Sequence, residues 1–222
     1  KPKGLLGINI GPNKDSLERI NDYLECFKKF EKLADYLTIN ISSPNTERLR
    51  DFHEKKELKQ LINAINNEKK IHNSKIPIAV KISPDLDQKQ IENVSEILLE
   101  NNIEVAIISN STDRNRENLI NINKMERGGL SGKPIEQISN NIINRFYNLI
   151  GKKIKIIGVG GADSAESVYE KIVNGATLVQ IYTGMVYKGP QIATQINKEL
   201  IKLLEKDGVK NLGELIGSKK SA

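Results

Sequence analysis

Polar and small residues recur where the short β-branched runs of this sequence end. They are Asn9, Asn40, Lys81, Asn110, Ser111, Gly160, Gly161, Tyr182 and Thr183. In a barrel of parallel strands, the functional site is built from the loops that leave the carboxyl ends of the strands. The shared position of these residues therefore predicts one binding site, assembled from residues far apart in the sequence.

Lys81 is the one member of this set that carries a charge, and a buried charge requires a partner. It lies near the end of the apolar run 76–82, so its side chain is predicted to point inward. A charge buried without a partner is costly, because the protein interior solvates it poorly. Lys81 therefore predicts an anionic or electron-rich partner, with a structural salt bridge as the alternative.

Glycines cluster at the ends of the last two predicted strands. The segments are Gly158-Val159-Gly160-Gly161, which precedes a predicted helix, and Tyr182-Thr183-Gly184. Glycine lets backbone N–H groups approach an anion, and the last two strands of a (β/α)8 barrel are a recurrent phosphate site. The pattern predicts a pocket for the phosphate of a cofactor or substrate; the alternative is that the glycines only permit tight turns.

The histidines and the cysteine are weaker candidates for chemistry. His53 and His72 lie in charged segments that are predicted to be exposed. Cys26 is the single cysteine, so it cannot form an internal disulfide, and no metal-ligand spacing surrounds it. These residues predict no metal site, and the cysteine usage favours a reducing compartment.

Six β-branched runs alternate with stretches of helical periodicity, a pattern typical of βα units around a parallel sheet. The predicted strands are 5–10, 36–41, 76–82, 105–109, 153–158 and 177–182. Apolar stripes mark the helices, for example Leu17, Ile20, Leu24 and Phe27. Capping-box spacing predicts helix starts at Asp15 with Glu18 and at Asp163 with Glu166, and Gly175 is predicted to end the second of these helices.

Two architectures accommodate six βα units, a doubly wound sheet and most of a (β/α)8 TIM barrel. A barrel needs eight strands, so about six of eight units would be present and two would be missing. No linker or repeat divides the chain, which predicts one partial barrel domain over residues 1–222. Open sheet edges expose unpaired backbone groups, so residues 1–222 alone are expected to be unstable or to aggregate.

Two predicted loops are long, at 42–55 and 110–133, whereas most βα loops have about 2 to 6 residues. Long loops at the carboxyl ends of the strands are typical of lids that exclude water during a reaction. Both contain small polar residues and turn-forming residues, including Pro44 and Gly132. We therefore expect these loops to cover the predicted site.

The composition is that of a globular protein, with 38% hydrophobic and 28% charged residues among 222. The net charge is +6, but lysines and glutamates alternate on predicted helices, which favours a solvated surface over nucleic-acid binding. No run reaches the roughly 18 apolar residues of a membrane span, and no signal peptide opens the sequence. The chain starts at Lys1 close to an apolar run, which suggests a sequence entered partway through.

The segment Asn40-Ile41-Ser42-Ser43-Pro44-Asn45-Thr46 closely resembles the active-site loop of class 2 dihydroorotate dehydrogenases. Six further motifs resemble that family in the same order: Gly7-Ile8-Asn9-Ile10-Gly11, Val80-Lys81-Ile82, Ser109-Asn110-Ser111-Thr112, Gly128-Gly129-Leu130-Ser131-Gly132, Gly158-Val159-Gly160-Gly161 and Gln180-Ile181-Tyr182-Thr183. The resemblance continues to the terminal segment 211–217, so it covers essentially the whole chain.

The resemblance implies an FMN enzyme that oxidises dihydroorotate to orotate in pyrimidine biosynthesis, with hydride passing from substrate C6 to flavin N5. Ser43 matches the base that removes the C5 proton, where the soluble class has Cys. The residues that match substrate contacts are Asn40, Asn45, Asn110 and Ser111. Those that match FMN contacts are Asn9, Asn40, Thr46, Lys81, Ser109, Gly132, Gly160, Gly161, Tyr182 and Thr183.

The class also implies partners and a location beyond these residues. Quinone would be the electron acceptor, through an N-terminal region that has no counterpart in this sequence. The protein would associate with the surface of the bacterial cytoplasmic membrane or the mitochondrial inner membrane. The family's first two strands, which carry a substrate-binding Lys, are likewise without counterpart, and Ser111 replaces the Thr of many relatives.

Two alternative functions remain open from the sequence. One is another FMN-binding or phosphate-binding barrel oxidoreductase, such as a soluble dihydroorotate or dihydropyrimidine dehydrogenase; Ser43 argues against both of these. The other is a noncatalytic barrel fragment with a structural or ligand-binding role. Electron-acceptor preference distinguishes the first alternative, and flavin absorbance distinguishes the second.

Overall fold

A computed structural model of the chain describes residues 3–114 and 116–219, and its six strands form one parallel sheet. The strands are β1 (Gly7–Ile10), β2 (Tyr36–Asn40), β3 (Ile78–Ile82), β4 (Val105–Ile108), β5 (Lys155–Val159) and β6 (Leu178–Gln180). All six predicted strands are confirmed, with shorter bounds. For example, β3 begins at Ile78 because Pro77, which has no N–H, cannot donate to the sheet.

Seven α-helices connect or follow the strands. They are α1 (Arg19–Phe30), α2 (Lys55–Ile71), α3 (Gln88–Glu100), α4 (Glu136–Ile150), α5 (Ala165–Val173), α6 (Thr183–Lys188) and α7 (Ile192–Lys206). A 3₁₀ turn at Leu49–His53 precedes α2, and others lie at Lys133–Ile135 and Leu212–Glu214.

The strand order decides between the two architectures that the sequence left open. Spatial order follows chain order from β1 to β6, with every neighbouring pair parallel. A doubly wound sheet reverses direction at a switch point, and this sheet does not. Because parallel crossovers are right-handed, a sheet that always advances the same way places its connecting helices on one face, as in a barrel wall.

The core lies between the sheet and these helices. Its centre consists of aliphatic side chains with no solvent exposure, such as Ile39, Val80 and Leu98, packed against Tyr23 and Phe27 of α1. A second cluster joins α5 to α7 through Ile172, Ile192 and Ile196. Burying each such side chain contributes about 1.5 to 3 kcal/mol, so the helical stripes stabilise the sheet that carries the site.

Two of the predicted helix starts are wrong. The first helix begins at Arg19, four residues after Asp15, and Leu17 is fully exposed outside it. The second helix is capped by Ser164, whose Oγ accepts from the Ser167 backbone N–H at 3.2 Å. Serine caps a helix as well as aspartate does, and the N-cap is therefore Ser164 and not the adjacent Asp163. Gly175 follows the end of α5 with a φ of 122°, as predicted for a helix-ending glycine.

The surface at the β6 end of the sheet is apolar. Leu178, Val186 and Tyr187 have 63%, 72% and 84% of their surface exposed. β1 and β6 are the two edges of the sheet.

Over the residues that the structure describes, no helix has both the length and the apolar character needed to cross a membrane.

Candidate functional site

A cavity of about 330 Å³ opens at the carboxyl ends of β3, β4, β5 and β6, and we call it the main cavity. Its size is within the range of cofactor and substrate pockets. The predicted site residues that line it are Asn45, Lys81, Ser109, Asn110, Ser111, Gly132, Gly160, Gly161, Tyr182 and Thr183. The structure therefore brings together most of the residues that the sequence singled out, from strand β3 and from the loops after β2, β4, β5 and β6.

Four predicted site residues do not line the main cavity. Asn9 is exposed on the edge strand β1, beside Thr38 of β2. Thr46 lies in the loop after β2, where its carbonyl accepts from the Leu49 N–H at 3.2 Å. Asn40 and Ser43 do not line the cavity, but each forms a hydrogen bond with a residue that does.

Ser43 is linked to the cavity by a turn. Its Oγ accepts from the backbone N–H of Asn45 at 3.2 Å, and Asn45 lines the main cavity. The Ser43 side chain is partly exposed rather than sealed in the core. A hydroxyl in this position can meet a bound molecule while its turn bond holds the loop.

The amide side chains form a hydrogen-bonded cluster between β2 and β4. Asn110 Nδ2 donates to Asn40 Oδ1 at 3.3 Å and to Ser42 Oγ at 3.0 Å. Asn110 Oδ1 accepts from the Ser111 backbone N–H at 2.8 Å. Ser42, which the sequence analysis left unassigned, therefore fixes the orientation of two predicted substrate contacts.

Lys81 occupies the inward position that the sequence predicted, but it has no salt bridge. Burial lowers the pKa of its ammonium group, and no hydrogen bond or ion pair joins it to another residue within 3–114 or 116–219. Ser109, which also lines the cavity, has a buried Oγ without a hydrogen-bond partner in the same described part. Both residues line the cavity, and neither the Lys81 ammonium group nor the Ser109 hydroxyl has a partner in the described chain, which indicates that a ligand belongs there.

The glycines after β5, and Gly132 beside them, occupy positions where a side chain would not fit. Gly160 and Gly161 have φ values of 115° and 76°, a region that side-chain-bearing residues rarely adopt. A Cβ on Gly161 would lie 2.5 Å from Glu136 Cβ. A Cβ on Gly132 would lie 2.8 Å from Thr183 Cγ2, and Thr183 Oγ1 is 2.8 Å from Ser131 Oγ.

A buried lysine that the sequence analysis missed supports this glycine turn. Lys171 of α5 has no exposed surface, and its Nζ donates to Ser139 Oγ at 3.1 Å and Asn140 Oδ1 at 3.0 Å. Ser139 Oγ in turn donates to Val159 O at 2.5 Å. Burial lowers the pKa of Lys171 to about 8. In sequence Lys171 looked like an exposed helical lysine, and only packing against Gly158 and α4 reveals its role.

His53 was predicted to be exposed, and this is wrong. It has 1% of its surface exposed, because the 3₁₀ turn at Leu49–His53 folds against the loop after β3. Nδ1 lies 3.0 Å from Arg50 O, and Nε2 lies 3.3 Å from the Ser83 backbone N. The Ser83 N–H can donate only to an unprotonated Nε2, so Nδ1 carries the proton. Burial accordingly lowers the pKa of His53 to about 4.

His53 should make the protein less stable as the pH falls. Its pKa is about 4 when folded and 6.5 when free, so the unfolded chain binds the extra proton and stability is lost between these values. Between pH 7 and 4.5 this loss should be about 2 to 3 kcal/mol. Urea unfolding of wild type and His53→Gln at both pH values measures it: the variant should lose less stability by that amount, and equal losses would contradict the assignment.

The other histidine and the cysteine lie away from the main cavity. His72 Nδ1 is 2.7 Å from Glu31 Oε1 and its Nε2 is 3.3 Å from Glu68 Oε2, at the end of α2. Cys26 is partly buried on α1, and burial raises its pKa. In the described ranges, no group of three or more His, Cys, Asp or Glu residues is placed to hold a metal ion.

A comparison with known proteins identifies the family of this chain. A model of the family "Dihydroorotate dehydrogenase" matches residues 1–204. The chain belongs to the dihydroorotate dehydrogenase family. A dihydroorotate dehydrogenase (quinone) of Bartonella henselae is 43% identical over 217 residues, which are 96% of this chain and 60% of that protein. The mitochondrial dihydroorotate dehydrogenase (quinone) of Arabidopsis thaliana is 41% identical over 221 residues, 97% of this chain and 48% of the relative.

The partial barrel is confirmed by a solved structure of this family. The Eimeria tenella dihydroorotate dehydrogenase in complex with ferulenol superposes with a TM-score of 0.93 and 31% identity. The match covers 98% of this chain and 62% of that protein. The chain thus spans about 60% of the length of the Bartonella henselae and Eimeria tenella proteins.

Proposed function

We propose that the protein carrying this chain is an FMN-dependent dihydroorotate dehydrogenase that makes orotate for pyrimidine biosynthesis and passes electrons to quinone. The observation that carries the proposal is that Lys81 and Ser109 both line the main cavity, and that their side chains have no partner in the described chain. A planar ring with polar edges and electron-accepting character would satisfy both. The family to which the chain belongs supports this reaction, and the residues that line the cavity could bind its cofactor and substrate.

The FMN phosphate would bind at Gly160, Gly161 and Thr183. These residues line one cavity, and Gly160 and Gly161 lie so close to Ile135, Glu136 and Ser139 that a side chain would not fit at either position. Asn9, Asn40, Thr46, Ser109, Gly132 and Tyr182 would complete the FMN contacts. When bound, FMN supplies the site with a hydride acceptor.

Lys81 would lie near the isoalloxazine ring. The buried ammonium group has no anionic partner among the described residues, so its field is not neutralised within the chain. A positive charge in a partly dry cavity stabilises negative charge that develops during a reaction far more than it would in water. Lys81 therefore favours electron transfer into the site.

The amide cluster suits a pyrimidinedione. Such a ring alternates N–H and C=O groups along its edge, and an Asn side chain both donates and accepts. Asn40, Asn45, Asn110 and Ser111 would bind this edge and the substrate carboxylate. Hydrogen bonds among Asn40, Asn110 and Ser111 set the orientation of the Asn40 and Asn110 amides before the substrate arrives.

Ser43 would accept the proton from substrate C5. A serine hydroxyl is a weak base, so it must pass its own proton onward as it takes the substrate's, through water or a neighbouring hydroxyl. Partial exposure of the Ser43 side chain leaves such a route open. The relatives are named dihydroorotate dehydrogenase (quinone), and we extend quinone as the electron acceptor, together with attachment to a membrane surface, to this protein.

Flavin content and acceptor preference test the proposal. The full-length gene product that carries this chain should purify with the visible absorbance of FMN, and anaerobic dihydroorotate should bleach it. Quinone should restore the absorbance faster than fumarate or NAD. A protein without flavin, or one bleached by a nicotinamide but not by dihydroorotate, would exclude the proposed reaction.

A further inference from the structure

Arg50 joins two loops that leave β2 and β4, the strands on either side of β3. Its Nε donates to Ser42 O at 3.4 Å, and a terminal nitrogen donates to Ser111 O at 3.3 Å. Ser42 immediately precedes Ser43, whereas Ser111 lines the main cavity. One side chain thus links the backbone beside the proposed proton acceptor to the backbone of a cavity loop.

The same guanidinium group reaches a third loop. A terminal nitrogen lies 3.0 Å from Asp85 Oδ2, and the other donates to Asp113 Oδ1 at 3.0 Å. The Asp85 carboxylate follows β3, is 6% exposed, and accepts from Thr112 Oγ1 at 2.6 Å. Asp85 Oδ2 makes no hydrogen bond of good geometry in the described chain, so the Arg50 charge is its compensation.

The geometry of these contacts requires arginine. A guanidinium group is a rigid plane with five N–H donors, and here it uses them on two carbonyls and two carboxylates. Its side chain is 24% exposed, so water screens these contacts only in part. The backbone of residue 50 is also fixed, because His53 Nδ1 donates to Arg50 O at 3.0 Å.

We propose that Arg50 is a positioning residue for proton removal, which holds Ser43 and the 110–113 loop in their reactive arrangement. Arg50 is not among the residues lining the main cavity, so it acts through the loops it connects. This inference rests on the proposed function, since it requires Ser43 to accept the substrate proton. It adds a residue that neither Ser43 nor the amide cluster identifies.

A double-mutant cycle in the full-length, FMN-loaded protein tests the inference. The rate of flavin reduction by dihydroorotate is measured in stopped flow for wild type, Arg50→Met, Ser43→Ala and the double variant. Arg50→Met should lower the wild-type rate by about 10- to 100-fold, within the cost of misplacing a reacting group. In the Ser43→Ala background it should lower the rate by less than about threefold, because residues that act as one unit are not additive.

The conservative variant and a neighbour provide controls. Arg50→Lys retains the charge opposite Asp85 but loses the planar array of N–H donors, so its rate should lie between those of Arg50→Met and wild type. This test does not depend on whether Arg50→Met folds well. Arg48→Met removes an arginine from the same loop whose side chain is 75% exposed and, among the described residues, pairs with Asp51 on the surface. Its reduction rate should remain within about threefold of wild type, as expected for a surface ion pair.

Amide hydrogen exchange gives a readout that does not depend on turnover. Exchange in segments 42–48 and 110–113 should rise in Arg50→Met, whereas exchange in α7 should not change. The inference is overturned if exchange in both segments stays at the wild-type level, or if Arg50→Met lowers the rate equally with and without Ser43. If Ser43→Ala itself keeps the wild-type rate, the proposed role of Ser43 fails first, and that result is visible separately in the same cycle.

Discussion

Ser43→Ala in the full-length enzyme should slow flavin reduction by dihydroorotate about 10²- to 10⁴-fold, the range of a lost general base. FMN content should stay nearly intact, because Ser43 does not line the main cavity, and orotate affinity should stay nearly intact, because the proposed substrate contacts Asn40, Asn45, Asn110 and Ser111 remain. Ser43→Cys should keep more activity than Ser43→Ala and shift the pH profile downward, since a thiol ionises more readily than a hydroxyl. Stopped-flow reduction over a pH series measures both effects.

A matched serine separates this chemistry from a role in shaping a turn. Ser74 Oγ accepts from the Ile76 backbone N–H at 3.4 Å, the same two-residue bond that Ser43 makes to Asn45, but it lies before β3 at the opposite end of the sheet. Ser74→Ala should therefore leave reduction unchanged. A Ser43→Ala rate within about threefold of wild type, far from the effect of a general base, would remove Ser43 from the mechanism.

Gly161→Ala should weaken FMN binding by about 100-fold or more, which corresponds to roughly 2.7 kcal/mol. The added Cβ would lie 2.5 Å from Glu136 Cβ and 2.7 Å from its Cα, so the backbone of α4 or of the glycine turn must move. The φ of 76° adds strain of about 1 to 2 kcal/mol for a residue with a side chain. Fluorescence titration of the apoprotein with FMN measures the loss.

Gly208→Ala isolates the conformational strain. Gly208 has a φ of 69°, close to that of Gly161, but nothing lies within 4 Å of a Cβ built there. This variant should lose about 1 kcal/mol of unfolding free energy and bind FMN as wild type does. Equal FMN affinities for Gly161→Ala and Gly208→Ala would show that the turn after β5 does not hold the phosphate.

Local patterns in the sequence determined the elements and the composition of the site. Six β-branched runs became six strands, and polar or glycine residues at the ends of the last four came to line one cavity. This works because parallel strands all present their carboxyl ends on the same side, so position along a strand predicts position in the fold. The inward direction of Lys81 followed from its place on an apolar strand by the same logic.

Tertiary structure alone decided the order of the strands and the partners of the buried polar groups. Strand order distinguishes a barrel wall from a doubly wound sheet, and it depends on packing between βα units, which leaves no short-range pattern. His53 and Lys171 have the sequence surroundings of exposed residues, yet both are buried with hydrogen bonds to segments about 30 residues away. Arg50 reaches Ser111 and Asp113, 61 and 63 residues away, because the loops after β2 and β4 flank β3. Local periodicity predicts only which face of an element a residue occupies. The charge pairs that hold these loops together depend on which strands are adjacent, so the sequence alone did not predict them.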